Sequence, residues 1–296
     1  MKSAVRVASV QAEPVVFDRD ATIGKLERLV GEAAAAGAEL VLLPEAFVPV
    51  YPTNRWVRHL AHGPDTGLFA RLLEQSVEVP GPDADRLAAV ARDHGVWLAV
   101  GVNERERGTI YNSLLIFAAD GRLAVHHRKL VPTNHERLVW GQGDGRGLET
   151  ADTGAALVGG LICWENLMPL ARFALYERGV EIYLAPTADD SDDWHASLRH
   201  IARESRAFVL SSCSFQRASS YPSDIPLADG NELIDRGGSA ILAPDGSYLA
   251  GPLWDEEGIL YADLEPNLLH AARQRFDPAG HYHRPDVLSL TVTSPT

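Results

Sequence analysis

Ten consecutive residues decide how this chain folds: Leu157-Val158-Gly159-Gly160-Leu161-Ile162-Cys163-Trp164-Glu165-Asn166. An apolar run with the character of a buried strand ends at a cysteine, and a helical pattern begins near Met168. In α/β proteins, ligands bind at the carboxyl ends of the parallel strands. A thiol close to a helix N-terminus is also stabilised as the reactive thiolate. Cys163 is therefore the first candidate for a nucleophile.

The chain on both sides of this stretch repeats one pattern, in which short apolar runs alternate with amphipathic helices. The predicted strands before the stretch are residues 5–10, 39–43 and 96–100, and those after it are residues 180–184 and 208–212. Each series then reaches an Asp-Gly turn between two apolar runs, at Asp120-Gly121 and at Asp245-Gly246, which indicates a hairpin. The pattern predicts an α/β fold with parallel strands and two similar halves. Residues 286–292 add a predicted last strand.

Composition limits the function classes. The 296 residues carry a net charge of −13, which argues against binding to nucleic acid or to an anionic membrane. The two cysteines favour a reducing, cytoplasmic setting over a disulfide scaffold. The eleven histidines show no usual zinc or protease spacing, so we predict no metal and no cofactor. Since no Pro/Ser-rich linker divides the chain, we expect one domain over residues 1–296.

Two further charged residues end predicted strands. Glu45 directly follows the apolar stretch Val41-Leu42-Leu43-Pro44, and desolvation there would raise its pKa, which suits a general base. Lys129 ends the second strand of the first hairpin, where a fixed ammonium can stabilise developing negative charge. Taken singly, Glu45 is better explained as a surface carboxylate, Lys129 as part of a solvated edge, and Cys163 as a core residue.

Longer motifs surround these positions. Lys129-Leu130-Val131-Pro132-Thr133 is followed by Glu136-Arg137 and Trp140-Gly141, and Cys163-Trp164-Glu165-Asn166 is followed by Met168-Pro169-Leu170-Ala171-Arg172. With the order Glu, Lys, Cys, these motifs resemble the nitrilase superfamily of carbon-nitrogen hydrolases, and within it the branch of true nitrilases. The similarity extends from about residue 5 to residue 292.

The resemblance implies a two-sheet αββα sandwich with pseudo-twofold duplicated halves. It implies hydrolysis of an organic nitrile to the carboxylic acid and ammonia, with Glu45, Lys129 and Cys163 as catalytic triad and Glu136 as a fourth, supporting carboxylate. An amidase or N-carbamoyl amidohydrolase of the same superfamily and a cyanide hydrolase stay open as alternatives. A catalytically silent scaffold is not favoured, because all three triad positions are filled.

Three residues are candidates for the wall of the substrate pocket. Tyr51 lies beyond the strand end at Glu45, Trp164 follows the thiol, and Thr187 follows the predicted strand at residues 182–185. Ordinary packing is an equally good explanation for Thr187. The expected partner is a small nitrile molecule, and the resemblance also implies a homodimer or a higher homo-oligomer.

Overall fold

A computed structural model describes residues 1–62, 67–227 and 232–293. Within these ranges the chain forms β-strands and α-helices in alternation. The strands are β1 (Val5–Gln11), β2 (Leu40–Leu42), β3 (Trp97–Glu106), β4 (Thr109–Phe117), β5 (Leu123–Arg128), β6 (Ala151–Asp152), β7 (Leu157–Gly160), β8 (Ile182–Leu184), β9 (Phe208–Ser211), β10 (Phe215–Arg217), β11 (Leu233–Leu242), β12 (Tyr248–Trp254) and β13 (Gly258–Leu264). The helices are α1 (Arg19–Ala35), α2 (Asn54–Val57), α3 (His59–His62), α4 (Leu68–Gln75), α5 (Pro82–His94), α6 (Pro169–Glu177), α7 (Asp192–Ser205) and α8 (Pro266–Arg275).

Local sequence signals set the ends of the main helices. Asp18 caps α1 by accepting a hydrogen bond from the Ala21 N–H at 2.9 Å. Helix α5 begins with Pro82 and ends before Gly95, whose φ of 66° is a left-handed conformation that glycine adopts without strain. Ser191 caps α7 in the same way as Asp18 caps α1. The starts of these three helices and the end of α5 therefore lie where the local sequence favours them.

The strands form two sheets, and their order confirms the duplication. The first sheet has the order β13-β1-β2-β3-β4-β5, and the second has the order β10-β11-β9-β8-β7-β6, with β12 paired to β11. In the first half β1, β2 and β3 are parallel, and β4 and β5 follow as antiparallel strands. In the second half β7, β8 and β9 are parallel, and β11 and β12 follow as antiparallel strands. The two halves thus share one topology.

The side chains of the central strands alternate between two apolar layers. On β2 and just beyond it, Leu40 and Leu42 pack between the two sheets, whereas Val41 and Leu43 pack under the helices of the first half. Strand β8 alternates in the same manner, between the layer shared by the sheets and the layer under α6 and α7. This arrangement is the predicted αββα sandwich, in which the two sheets pack face to face and helices cover their outer faces.

The end of the chain differs from the prediction. Residues 286–292 form no strand, and the prediction of a last strand there was wrong. Leu290 and Val292 instead pack against the apolar layer under α6 and α7, which explains their alternating pattern without strand pairing. Among the described residues, no helix combines the length and the apolar character needed to cross a membrane.

Candidate active site

The polar residues predicted from the strand ends meet at one edge of the sandwich. Glu45 follows β2, Lys129 follows β5 and Cys163 follows β7, so the first two come from one sheet and the third from the other. All three side chains are buried. The fold therefore brings together residues that lie up to 118 positions apart in the sequence.

Lys129 lies between two buried carboxylates. Its Nζ donates to Glu45 Oε1 at 2.8 Å and to Glu136 Oε2 at 2.7 Å. Glu136 sits in a short 3₁₀ helix (Asn134–Leu138), where its Oε2 also accepts the Thr133 N–H and completes a capping box. Two carboxylates share one ammonium, so the cluster has one more negative than positive charge when all three groups are ionised.

Two glycines allow the backbone to approach this cluster. A Cβ on Gly101 of β3 would lie 2.8 Å from the Cα of Glu45, and a Cβ on Gly143 would lie 2.9 Å from the Lys129 carbonyl oxygen. Both distances are too short for a real side chain, so any other residue would push the strand end away. The Gly143 N–H in addition donates to the Lys129 carbonyl at 2.8 Å, which fixes the end of β5.

Cys163 begins a 3₁₀ helix (Cys163–Leu167) in a strained conformation, with φ of 51°. For a residue other than glycine, such a conformation costs on the order of 1 kcal/mol and persists where surrounding contacts enforce it. The Cys163 N–H donates to the Pro186 carbonyl at 2.8 Å, and the Thr187 hydroxyl donates to Cys163 Sγ at 3.3 Å. The backbone turn thus points the sulfur at the end of β8.

The electrostatics of the cluster raise the pKa of Glu45 and of the Cys163 thiol and keep the lysine charged. Burial raises the pKa of Glu45; Lys129 opposes this effect, and the neighbouring Glu136 adds to it. Burial and then the charge of Glu45 raise the pKa of Cys163 well above its usual value. Burial alone would lower the pKa of Lys129, but the negative charges of Glu45, Cys163 and Glu136 raise it, so the ammonium stays charged.

The three predicted pocket residues all lie close to the cluster, in different positions. Tyr51 is buried and donates its hydroxyl to Glu136 Oε1 at 2.8 Å. Thr187 is buried against the sulfur of Cys163. Trp164 is 43% exposed, and its indole Nε1–H donates to Asp189 Oδ2 at 2.7 Å. Trp164 is therefore the one of the three that solvent, and hence a ligand, reaches directly.

Similarity to known proteins shows the family to which this chain belongs. The profile of the carbon-nitrogen hydrolase family matches residues 6–274. Nitrilase 1 of Arabidopsis thaliana is 44% identical over 303 residues, which cover 97% of this chain and 86% of that protein. The chain belongs to the carbon-nitrogen hydrolase family. An aliphatic nitrilase of Sinorhizobium fredii (strain HH103) is also 44% identical, over 97% of this chain and 95% of its own length.

Solved structures agree with this fold. A carbon-nitrogen hydrolase superfamily protein of Xanthomonas campestris, XC1258, superposes with a TM-score of 0.75 at 20% identity, covering 97% of this chain and 99% of that one. At this level of identity the likeness bears on the fold alone. The sequence relatives place the chain in the nitrilase branch of the family, as the motifs around Lys129 and Cys163 predicted.

Sequence reasoning missed several residues of this carbon-nitrogen hydrolase site. Asn112 of β4 donates its side-chain amide to Glu45 Oε1 at 2.7 Å, and the Ala188 N–H donates to Glu45 Oε2 at 2.8 Å. Glu165, two residues after the thiol, is buried and accepts from the N–H groups of Ile162 and Leu130 and from His127 Nε2. The signal in the sequence was polarity in apolar surroundings, since Asn112 interrupts the apolar pattern of a strand.

Proposed function

We propose that this protein is a nitrilase that hydrolyses an organic nitrile to the carboxylic acid and ammonia. The observation that carries the proposal is the shared Lys129, which bonds to both Glu45 and Glu136 beside the buried thiol of Cys163. The relatives named nitrilases, similar over 97% of this chain, support nitriles as the substrate class. The enzyme acts on carbon–nitrogen bonds.

The first half of the reaction forms a covalent bond to sulfur. Glu45, whose raised pKa suits proton transfer, takes the proton of Cys163, and the thiolate attacks the nitrile carbon. The carbon–nitrogen triple bond becomes a double bond, and the nitrogen takes up the proton that Glu45 accepted from the thiol, which gives a thioimidate and returns Glu45 to its carboxylate form. Lys129 stabilises the negative charge that develops on the nitrogen, with the Trp164 backbone N–H as a second donor.

The second half consumes two water molecules. Glu45 activates the first water, which adds to the thioimidate carbon, and ammonia leaves with the carbon–nitrogen bond broken. The resulting thioester reacts with a second water, which releases the carboxylic acid and returns the thiol. Glu136 orients Lys129 throughout, because its Oε2 holds the ammonium and its Oε1 is held by Tyr51.

Ammonia release from a panel of aliphatic, aryl and arylacetonitriles tests this proposal. The wild-type protein is compared with Cys163→Ala, Lys129→Ala and Glu45→Gln, and each variant is checked for folding by circular dichroism. We expect at least one nitrile to be converted by the wild type and none by Cys163→Ala. Full activity of Cys163→Ala, or no conversion of any nitrile by the folded wild type, would reject the proposal.

A second arm separates the nitrilase from an amidase or N-carbamoyl amidohydrolase with the same residues. Each converted nitrile is offered beside its amide, and an amide hydrolysed faster than its nitrile would favour the amidase. Cyanide, included as a further substrate, tests the cyanide hydrolase. Cys213→Ala serves as the matched control, because Cys213 is also a buried free thiol. It should keep wild-type turnover.

The proposal extends to the whole chain and to its assembly. Since the triad takes Glu45 and Lys129 from one sheet and Cys163 from the other, we treat residues 1–296 as one hydrolase domain. Leu167, just before α6, and Leu170, in its first turn, are 50% and 69% exposed, which supports a homodimer or a higher homo-oligomer. Light scattering of the purified protein measures its mass directly, and a monomer would reject that part.

A further inference from the structure

The loop that follows β8 touches each part of the site. The Ala188 N–H donates to Glu45, the Thr187 hydroxyl donates to Cys163, and the side chain of Asp189 accepts from Trp164. The loop is fixed on its far side as well, because the Thr187 N–H donates to the Ser212 carbonyl at 2.9 Å. A shift of this loop would therefore move contacts to the nucleophile, to the general base and to the exposed indole together.

The direction of the Thr187 hydroxyl follows from its two contacts. The Asp189 N–H donates to Thr187 Oγ1 at 2.9 Å, which occupies a lone pair of the hydroxyl oxygen. The hydroxyl hydrogen is then free to point at Cys163 Sγ, 3.3 Å from the oxygen. Because Thr187 is fully buried, no solvent competes for that hydrogen. A hydroxyl donor stabilises a thiolate more than a thiol, since hydrogen bonds to charged groups are the stronger ones.

We propose that Thr187 stabilises the Cys163 thiolate through its hydroxyl, and that Trp164 is a positioning residue that holds this hydroxyl in place through Asp189. The inference rests on the proposed function, because it gives the hydroxyl a part in the attack on the nitrile. It also changes the role expected for Thr187, from a wall of the substrate pocket to a direct partner of the reacting sulfur.

The connection to Trp164 runs through consecutive hydrogen bonds. The indole Nε1–H donates to Asp189 Oδ2 at 2.7 Å, and the Ser191 N–H donates to Asp189 Oδ1 at 3.0 Å. These two donors fix the Asp189 side chain, and its backbone N–H in turn fixes the hydroxyl of Thr187. Since Trp164 is 43% exposed, a bound substrate that moves the indole changes the hydrogen bond to the sulfur.

The other titratable groups around the sulfur stay the same in the test. Glu45, Glu136 and Lys129 act on Cys163 through their charges, and the sulfur in turn acts on Tyr51 and Cys213. Burial and the carboxylates raise the pKa of the Cys163 thiol, while Lys129 and the Thr187 hydrogen bond lower it. Removal of the hydroxyl therefore takes away one of the two groups that lower the pKa of the thiol, so that burial and the carboxylates raise it further.

The test measures alkylation of Cys163 by iodoacetamide between about pH 6 and pH 10, where the thiolate fraction of a thiol with a raised pKa, and hence the rate, increases with pH. Mass spectrometry of the Cys163 peptide separates its reaction from that of Cys213. Thr187→Val removes the hydroxyl at nearly constant volume, and Thr187→Ser restores it. Trp164→Phe keeps an aromatic ring without the indole N–H. Thr22→Val, which removes another buried hydroxyl hydrogen bond, to the Val15 carbonyl, serves as the matched control.

We expect Thr187→Val to shift the pH profile up by about one pH unit and to slow alkylation at neutral pH about tenfold. Thr187→Ser and Thr22→Val should stay within about twofold of the wild type, and Trp164→Phe should slow the reaction about threefold. A wild-type profile for folded Thr187→Val, or an equal shift for Thr187→Ser, would overturn the role of the hydroxyl. A wild-type profile for Trp164→Phe would overturn the role of the indole.

Alkylation needs no nitrile, so this result is independent of the turnover experiment. A shifted profile in a protein that converts no nitrile would support the hydrogen bond and reject the proposed function. Nitrile turnover by the wild type, together with an unshifted alkylation profile for Thr187→Val, would support the proposed function and reject the role of the hydrogen bond. Unfolding curves for each variant show whether a slow reaction comes from a disturbed fold.

Discussion

Glu45 and Glu165 are both buried, and each accepts three hydrogen bonds, yet their pKa values move in opposite directions. Glu45 accepts from Lys129, Asn112 and Ala188, and burial together with the nearby Glu136 raises its pKa despite the lysine. Burial alone would raise the pKa of Glu165 as well, but His127 and two backbone N–H groups outweigh that effect and lower it.

The two carboxylates differ in whether a second carboxylate competes for their hydrogen-bond donors. Glu45 must share Lys129 with a second carboxylate, Glu136, whose charge makes a proton bind to Glu45 more easily. Glu165 has its donors to itself, and they link the backbone before Cys163 to the backbone after Lys129. The proposed general base and Glu165 therefore accept the same number of hydrogen bonds and differ in whether another carboxylate competes for the donors.

The largest effect that the comparison predicts is on turnover. Glu45→Gln removes the proposed general base, and we expect the kcat for nitrile hydrolysis to fall about 100-fold to 10,000-fold. The amide still accepts from Lys129, so we expect the variant to fold. Steady-state ammonia release together with a urea unfolding curve measures both quantities. A variant that keeps more than a tenth of the wild-type turnover would contradict the role of Glu45 as the general base.

The next effect is on stability. Glu165→Gln weakens three hydrogen bonds to a buried carboxylate, and we expect it to reduce the free energy of unfolding by about 2 kcal/mol at pH 7. The folded Glu165→Gln protein should keep turnover closer to the wild type than Glu45→Gln does. Urea unfolding measures the change, and an unchanged midpoint would contradict a structural role for Glu165.

The pH dependence of that loss provides a control. Because the pKa of Glu165 is lowered in the folded state, its stabilisation is complete above the unfolded value of about 4.3 and is lost as the pH falls through the folded value. The difference between the wild type and Glu165→Gln should therefore be constant between about pH 6 and pH 8 and shrink below about pH 4. A stability difference between the two proteins that grows towards low pH would contradict a lowered pKa for Glu165.

The smallest effect concerns a buried carboxylate, Asp235, whose pKa is raised although the charge of Arg55 opposes the shift. Asp235 on β11 is 8% exposed, and its Oδ2 has no hydrogen-bond partner in the part of the chain that the structure describes. Burial, reinforced by the nearby Asp190, raises its pKa well above the usual value. Since the native state holds this proton more tightly than the unfolded state does, stability falls as the pH rises above about 4.

Asp235→Asn removes the free-energy cost of ionising a buried carboxylate. We expect the variant to be more stable than the wild type by about 1 kcal/mol at pH 7 and to converge with it below about pH 4. Thermal unfolding at the two pH values measures the gain. A loss of stability at neutral pH would contradict this prediction. It would show that the folded protein stabilises the ionised carboxylate of Asp235, as it does that of Glu165.

The sequence predicted most of the fold, because its signals are local. The strand at β7 and the hairpin turns at Asp120-Gly121 and Asp245-Gly246 depend on nearest neighbours in the chain, and the structure has them. The choice of two sheets over one doubly wound sheet came from the resemblance. The last strand was wrong because an alternating apolar pattern also arises when a tail lies along a helical layer, as Leu290 and Val292 do.

The site was predictable in part, for a related reason. Glu45, Lys129 and Cys163 each end a strand, so the sequence shows their positions, although it does not show that they meet. Asn112 lies within a strand and Glu165 within the turn after the thiol, and their roles depend on neighbours 67 and 38 positions away, at Glu45 and His127. Such contacts are set by the register between elements, which no local pattern encodes.

The central claim is that Cys163 attacks the nitrile within a cluster in which Glu45 and Glu136 share Lys129. The mass of the Cys163 peptide, measured after an acid quench during turnover of a converted nitrile, tests this claim most directly. The account predicts a nitrile-derived adduct on the wild-type peptide, together with no ammonia release from Cys163→Ala. Ammonia release at the wild-type rate from Cys163→Ala, with no adduct on the wild-type peptide, would contradict it.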